Sequence, residues 1–344
     1  MRVAVFSTKP YDRRFFEQAN ARHSHDLVFF EARLDADTAA LAEGFPGICA
    51  FVNDRLDAAV LARLAEGGTR VVALRCAGFN NVDLRAADRL GIDVVRVPAY
   101  SPHAVSEFTV GLILALDRNI PRAWARVRDN NYALDGLVGR TLHGRSVGVI
   151  GTGKIGALVA RTLHLGFGCA VTVSDPVPNP ELTALGLRYA PPAEVIASAE
   201  ILTLHCPLTP ETRHIVNAAA IAGARPGLMV VNTGRGALVD TAALIEGLKS
   251  RKLGGVALDV YEQEEGLFFE DLSSEIIDDD VFQRLLTFPN VIVTGHQAFL
   301  TEEALGAIAE TTLGNLGDAE AGRPLANAVS MAVLRSPSAG PAAA

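Results

Sequence analysis

The chain of 344 residues is short of cysteine and of long apolar runs. Its four cysteines, Cys49, Cys76, Cys169 and Cys206, show neither CxxC nor Cys/His ligand spacing, so we predict reduced thiols and no metal site. No segment offers 18 uninterrupted apolar residues, and the apolar run at the N-terminus is too short for a signal peptide. We therefore expect a cytoplasmic protein with no membrane partner.

Positive charge is also scarce. Lysine and arginine number 31 against 39 aspartates and glutamates, which gives a formal net charge of -8 at pH 7. Such a surface repels phosphate backbones, so nucleic acid is not an expected partner. Apolar residues are plentiful, at 49% of the chain, which indicates a globular protein, and the length favours two domains.

Short β-branched runs alternate with helical patterns along the chain, which is typical of parallel α/β sheets. A first series of predicted strands is RVAVF, LVFF, ICAFV, RVVALR and DVVRV, and a second is SVGVIG, AVTVSD, EILTLHC, MVVNTG, GVALDVY and VIVTGH. A helix is predicted over residues 101–119, and another after His296, where Thr301 to Glu303 suit a first turn. The predicted fold class is α/β, with two doubly wound parallel sheets.

The strongest local motif is Gly151-Thr152-Gly153-Lys154-Ile155-Gly156, a GxGxxG that follows a predicted strand and opens a predicted helix. Gly151 makes a tight turn, Gly153 lets the backbone approach a pyrophosphate, and Gly156 lets the helix pack closely on the strand. The helix N-terminus supplies donors to the phosphates. Without this context an ordinary glycine-rich turn would explain the motif equally well.

Asp175 stands at the end of the next predicted strand, where a carboxylate accepts hydrogen bonds from the hydroxyls of an adenosine ribose. A role as a mere turn former at the strand end stays open. Residues 176–178 include no lysine or arginine to neutralise a 2'-phosphate. The predicted cofactor is therefore NAD rather than NADP.

Arg235, Glu264 and His296 follow successive predicted strands of the second series, at the edge where parallel sheets bind ligands. A protonated histidine can deliver a proton to a ketone oxygen, and an adjacent carboxylate stabilises the imidazolium. An arginine binds a carboxylate in a bidentate fork. Taken singly, each residue has a structural explanation, as a core histidine, a solvated loop acid or the rim of a turn. Only their joint pattern indicates catalysis.

Seven motifs occur in one order along nearly the whole chain: RCAGFNNVD, VVRVPAYSP, GVIGTGKIG, LHCPLT, NTGRGALVD, DVYE and VTGHQAF. They resemble the D-2-hydroxyacid dehydrogenase family, and most closely its members that reduce pyruvate to D-lactate. The resemblance implies an oxidoreductase in which His296 is the acid and base, Glu264 its carboxylate partner and Arg235 the substrate anchor. It also implies a homo-oligomer, a dimer or tetramer, which the apolar stretch Gly111 to Leu116 supports.

The same resemblance implies the binding residues. The substrate carboxylate would meet backbone N–H groups near Ala77 and Gly78, and Tyr100 would contact the substrate together with Arg235 and His296. The implied cofactor contacts are Gly151, Gly153, Lys154, Ile155, Gly156, Asp175, Cys206, Pro207, Thr233, Gly234, Arg235 and Asp259. A simple strand-to-helix turn at Ala77 and ordinary packing of Tyr100 remain alternative explanations.

We predict a flavodoxin-like substrate-binding domain of residues 1–100 and 300–332, a Rossmann NAD-binding domain of residues 101–299, an active-site cleft between them, and a flexible tail of residues 333–344. One alternative is the same chemistry on a larger 2-oxo acid, since Phe79 and Phe299 only suggest a small pocket. Another is a binding module that senses NADH on the same fold, against which the lack of a basic cluster argues.

Overall fold

The structure is a computed structural model that describes residues 1–329; the predicted tail lies outside the described residues. Its strands are β1 (Arg2–Val5), β2 (Asp26–Phe29), β3 (Gly47–Ala50), β4 (Val71–Leu74), β5 (Asp93–Arg96), β6 (Ser146–Ile150), β7 (Ala170–Ser174), β8 (Arg188–Tyr189), β9 (Ile201–Leu204), β10 (Leu228–Asn232), β11 (Leu253–Leu258) and β12 (Val291–Val293). Its α-helices are α1 (Pro10–Asn20), α2 (Ala58–Glu66), α3 (Leu84–Leu90), α4 (Pro102–Asp117), α5 (Ile120–Arg128), α6 (Lys154–Arg161), α7 (Pro180–Ala184), α8 (Pro192–Ser198), α9 (Ala218–Gly223), α10 (Thr241–Lys249), α11 (Asp280–Leu286) and α12 (Glu302–Glu320).

These elements form two compact units. One comprises Met1–Ser101 and the chain from Leu300 onward as far as it is described, and the other is Pro102–Phe299. No helix among residues 1–329 combines the length and the apolar character that crossing a bilayer requires.

The unit that contains the N-terminus has a five-stranded parallel sheet in the order β2-β1-β3-β4-β5. This is the flavodoxin-like order, and the predicted strands of the first series are confirmed. Helix α12 packs against α1 and beneath β4 and β5, and Leu313 and Leu316 share a core cluster with Val3 and Val5. The predicted cap is confirmed, because Thr301 Oγ1 accepts the N–H of Ala304 at 3.2 Å.

The other unit has a seven-stranded parallel sheet in the order β12-β11-β10-β9-β6-β7-β8. Counted from β6, this is the Rossmann order with one added strand, so the second series is also confirmed. The sequence pattern did not reveal β8, because a two-residue edge strand is too short to show alternation.

Helix α4 confirms the helix predicted over residues 101–119, but it changes the argument for self-association. Leu112, Ile113 and Leu116 are buried, so the apolar side chains of the stretch Gly111 to Leu116 pack mostly in the core and do not form a free surface. The exposed apolar surface lies instead on α5, where Ile120, Trp124 and Val127 are each more than half exposed. Their i, i+4, i+7 spacing forms one stripe.

Candidate active site

The glycine-rich turn has the geometry that a pyrophosphate site needs. Gly151 has a φ of +92°, and a Cβ there would lie 2.4 Å from the backbone nitrogen of Cys206. A Cβ on Gly156 would lie 1.9 Å from the carbonyl oxygen of Gly151, whereas a Cβ on Gly153 would have no atom of the described residues around it within 4 Å. The first and last glycines are therefore needed for packing, and the middle one leaves open space at the N-terminus of α6.

Two residues of the motif have different surroundings. The Lys154 side chain is exposed, whereas Ile155 is 2% exposed and packs in the core. Only the backbone of Ile155 is therefore left for contact with a cofactor.

Asp175 both closes the turn and borders a cavity of about 390 Å³. Its Oδ2 accepts the N–H of Thr152 at 2.6 Å, and its Oδ1 accepts the N–H of Val177 at 2.9 Å. The cavity is lined by Ser174, Asp175, Pro176, Pro178, Tyr189, Ala190, Pro191 and Pro192. This lining is largely apolar and holds no lysine or arginine, which suits an adenosine without a 2'-phosphate. The sequence did not predict the part of this lining that follows β8, Ala190 to Pro192.

Cys206 and Thr233 come from the ends of β9 and β10. Burial raises the pKa of the Cys206 thiol to about 11, so the thiol stays neutral and is a poor nucleophile. Thr233 Oγ1 lies 2.8 Å from Thr109 Oγ1 on α4. Pro207 directly follows Cys206, and its carbonyl oxygen accepts a hydrogen bond from the hydroxyl of Thr212 at 2.6 Å.

Arg235 lies on a turn that the side chain of Asn232 holds in place. Buried Asn232 accepts the N–H of Gly234 at 3.0 Å and donates to the carbonyl oxygen of Arg235 at 2.8 Å. A Cβ on Gly236 would lie 2.1 Å from the carbonyl group of Tyr261, so only glycine allows this approach. The half-buried guanidinium donates to the carbonyl oxygen of Gly234 at 2.8 Å. Sequence reasoning missed Asn232, whose buried amide organises the turn.

Glu264 and His296 lie side by side, with Glu264 Oε1 3.2 Å from His296 Nδ1. The other carboxylate oxygen, Oε2, accepts the N–H of Tyr261 at 3.2 Å. Burial alone would raise the pKa of Glu264, but the hydrogen bond and charge of His296, the Tyr261 N–H and the charge of Arg235 together hold that pKa below its ordinary value. The carboxylate is therefore charged at neutral pH, in a form that can pair with an imidazolium.

The loop that carries His296 is shaped by Asp259, which is fully buried. Asp259 Oδ1 accepts hydrogen bonds from the hydroxyl of Thr294 at 2.6 Å and the N–H of Gln297 at 2.9 Å, and Oδ2 accepts the N–H of Ala298 at 2.9 Å. Burial raises the pKa of Asp259 against the opposing effect of these bonds. His296 has a φ of +54°, and its N–H donates to the Asp259 carbonyl oxygen at 2.7 Å. The Asp259 side chain, an implied cofactor contact, thus binds the histidine loop with both oxygens.

The candidate substrate residues Ala77, Gly78 and Tyr100 belong to the unit with the N-terminus. Arg96 Nη1 donates to the carbonyl oxygen of Ala77 at 2.8 Å, and the Cys76 thiol donates to that of Gly78 at 3.2 Å. These bonds fix the carbonyl groups of the turn after β4. Tyr100 is partly exposed.

Comparisons with known proteins show which family the chain resembles. Residues 110–298 match the family model of the D-isomer specific 2-hydroxyacid dehydrogenase, NAD binding domain. The chain is 53% identical to 2-hydroxyacid dehydrogenase homolog 1 of Schizosaccharomyces pombe over 92% of this chain and 96% of that protein. It is 49% identical to the D-lactate dehydrogenase of Escherichia coli over 95% and 99% of the two chains. A solved structure, the pyruvate reductase of Chlamydomonas reinhardtii, superposes with a TM-score of 0.91 at 46% identity, covering 95% of this chain and 98% of that one.

Proposed function

The chain belongs to the D-isomer specific 2-hydroxyacid dehydrogenases, which are NAD-dependent oxidoreductases, and we propose that it reduces pyruvate to D-lactate in a reversible reaction. The observation that carries this proposal is the Glu264–His296 pair, in which a carboxylate that the charge of Arg235 helps to keep ionised faces a histidine. The names of two relatives, a D-lactate dehydrogenase and a pyruvate reductase, favour pyruvate over a larger 2-oxo acid.

His296 is the proposed proton donor. Bound NADH supplies the hydride that reaches the carbonyl carbon of the substrate. Because Nδ1 of His296 faces Glu264, Nε2 is left to donate a proton to the carbonyl oxygen as negative charge builds there. In the reverse direction neutral Nε2 accepts the hydroxyl proton of D-lactate. Glu264 keeps the ring oriented and stabilises its protonated form in both directions.

Arg235 is the proposed anchor of the substrate carboxylate. Its guanidinium offers two parallel donors, which fix the plane of a 2-oxo acid as well as its charge. The N–H groups of Ala77 and Gly78 are also proposed substrate contacts, because the described residues offer no acceptor to either group. Tyr100 is the proposed contact to the rest of the substrate.

The residues that would hold NAD follow the sheet edge. We propose that Gly151, Gly153 and the N–H groups of Lys154 and Ile155 bind the pyrophosphate, and that Asp175 binds the adenosine ribose. The remaining proposed contacts are Gly156, Cys206, Pro207, Thr233, Gly234, Arg235 and Asp259. Asp259 would act through its hold on the His296 loop, since both of its oxygens are bound there.

Self-association is part of the proposal, with α5 as the surface that a second copy of the chain covers. Helix α5 has no buried residue among those described, and its apolar stripe is joined by Tyr132, Leu134 and Val138, each more than two-thirds exposed. A patch of this kind is typical of an interface between subunits. Trp124→Glu should turn an oligomer into a monomer in sedimentation experiments, and Leu165→Glu, at an exposed leucine elsewhere, should not.

The decisive experiment measures NADH oxidation with pyruvate for the native protein and for His296→Ala, with chiral analysis of the product. Rapid formation of D-lactate that is lost in the variant would support the proposal. Turnover only with a bulkier 2-oxo acid would keep the mechanism and change the substrate. Binding of NADH without turnover of any 2-oxo acid would contradict the proposal in favour of a sensing module.

A further inference from the structure

We propose that Glu262 is a positioning residue for the catalytic pair: through His214 and Arg213 it holds the turn that carries Glu264 against His296. This inference rests on the proposed function, because it concerns how the same site is kept in its working geometry. Nothing in the sequence pattern distinguishes Glu262 from the other acidic residues that follow β11.

Two neighbouring residues, Arg213 and His214, contact the same carboxylate oxygen of Glu262. Its Oε1 lies 2.6 Å from Nε2 of His214 and accepts a hydrogen bond from Nη2 of Arg213 at 3.1 Å. The side chain of Glu262 is 18% exposed, and that of His214 is 30% exposed. Because both side chains are mostly out of water, the hydrogen bond between them competes less with solvent than a contact on the surface does.

His214 is itself fixed to the turn that follows β10. Its backbone has a φ of +50°, and its N–H donates to the carbonyl oxygen of Ala237 at 2.8 Å. Two residues later, Val216 pairs with Val239 in an isolated parallel bridge. The partner of Glu262 is therefore part of the rigid framework and can serve as an anchor.

Glu262 and Glu264 face two different histidines from one short turn. Glu262 meets His214, and Glu264 meets His296. The turn also lies against Gly236, where a Cβ would be 2.5 Å from the backbone nitrogen of Glu262. From Asp259 to the start of α11 the chain has no regular secondary structure. A carboxylate on such a stretch needs tethers if its bond to His296 is to keep its geometry.

The contact also joins two parts of the proposed site. Arg213 and His214 follow the loop that begins at Cys206 and Pro207, where the proposed cofactor contacts lie. Glu262 therefore links the cofactor side of the site to the carboxylate that orients the histidine. Loss of the Glu262 side chain should lower kcat for pyruvate, because a small displacement of catalytic groups lowers the rate even when the fold persists.

The test compares Glu262→Ala and Glu262→Gln in two backgrounds, native and Glu264→Gln. In the native background we expect Glu262→Ala to lower kcat by ~10- to 100-fold. Glu262→Gln keeps an acceptor oxygen and should restore part of the rate. In the Glu264→Gln background, where the charge that Glu262 is proposed to hold beside His296 is gone, Glu262→Ala should change kcat less than about twofold, since coupled sites are not additive. The matched control is Glu275→Ala, an exposed acid of the same segment, which should behave as native.

Equal losses of rate in both backgrounds would overturn the inference, as would no loss in the native one. If Glu262→Ala does not fold, His214→Asn gives the same test from the opposite side. Asparagine tolerates a positive φ but is too short to reach Glu262. The proposed function is judged separately, by the rate of the native protein and its loss in Glu264→Gln, so the two ideas can fail independently.

Discussion

Nδ1 of His296 lies 3.2 Å from Oε1 of Glu264, although 32 positions separate the two residues in the chain. The adjacent parallel strands β11 and β12 bring them together, because each residue lies beyond the carboxyl end of its strand. The pairing leaves Nε2 as the only ring nitrogen available to a substrate. In the proposed mechanism, Glu264 therefore orients the ring and Nε2 moves the proton.

The first prediction concerns this pair. His296→Gln removes the proton donor and should lower kcat for pyruvate reduction by ~10²- to 10⁴-fold, the usual contribution of a general acid. The dissociation constant of NADH, measured by fluorescence titration, should stay within about twofold. Steady-state kinetics with both substrates varied checks the prediction.

Glu264→Gln is the companion variant. It keeps a hydrogen-bond acceptor but removes the charge that stabilises the imidazolium, so its rate should fall between those of the native protein and His296→Gln. A Glu264→Gln protein as active as the native one would show that the carboxylate has no part in the reaction. Equal weakening of NADH binding in both variants would indicate a damaged cofactor site instead.

Arg235→Lys tests whether the guanidinium of Arg235 binds the substrate carboxylate. Lysine keeps the positive charge but cannot form a two-point fork, so KM for pyruvate should rise by ~10- to 100-fold, which corresponds to one charged hydrogen bond of about 1.5–3 kcal/mol. The thermal midpoint should change little, because the hydrogen bonds that hold the turn are made by backbone groups and the side chain of Asn232. An unchanged KM would assign the substrate carboxylate to another group.

The fold could be predicted from the sequence because its signals are local and repeated. Buried parallel strands such as β6 and β9 read as continuous apolar runs, and Gly151 and Gly156 are required by backbone contacts that no other residue allows. The pairing of Glu264 with His296 followed only from several motifs taken together. Each of these residues alone has an ordinary structural explanation.

Other parts of the site could not be predicted, because they depend on which side chains meet after folding. No periodic pattern in the sequence indicates the Glu262–His214 contact or the three hydrogen bonds to the carboxylate of Asp259. The apolar residues of α4 and α5 also look alike in sequence, yet Ile113 is buried and Trp124 is 64% exposed. Only packing tells such residues apart.

Gly153 and Gly156 provide a prediction that separates folding from cofactor binding. Gly156→Ala places a methyl group where the carbonyl oxygen of Gly151 already lies, so the thermal midpoint should fall by several degrees. The Cβ of Gly153→Ala meets no atom of residues 1–329, so the midpoint should be nearly unchanged while NADH binding weakens by at least ~10-fold. Calorimetry and fluorescence titration measure the two effects. Normal NADH affinity in Gly153→Ala would place the pyrophosphate elsewhere.

His205 makes stability depend on pH. It is fully buried beside the glycine-rich turn, its Nε2 lies 2.8 Å from Thr203 Oγ1, and burial lowers its pKa from 6.5 to about 3. Because the folded state resists protonation, the unfolded state binds more protons below pH 6.5. The stabilisation is therefore complete above pH 6.5 and is lost as the pH falls toward 3, at about 1.4 kcal/mol per pH unit.

The measurement is the free energy of unfolding in urea at several pH values from 7.5 to ~4.5. The glutamine of His205→Gln stays neutral at every pH. The free energy of unfolding of the native protein should therefore fall relative to that of the variant as the pH falls. His25, whose pKa is also lowered by burial, contributes equally to both proteins and cancels. The exposed His103→Gln is the control and should run parallel to the native protein. A difference that stays constant with pH would mean that His205 takes up a proton in the folded state as readily as in the unfolded one.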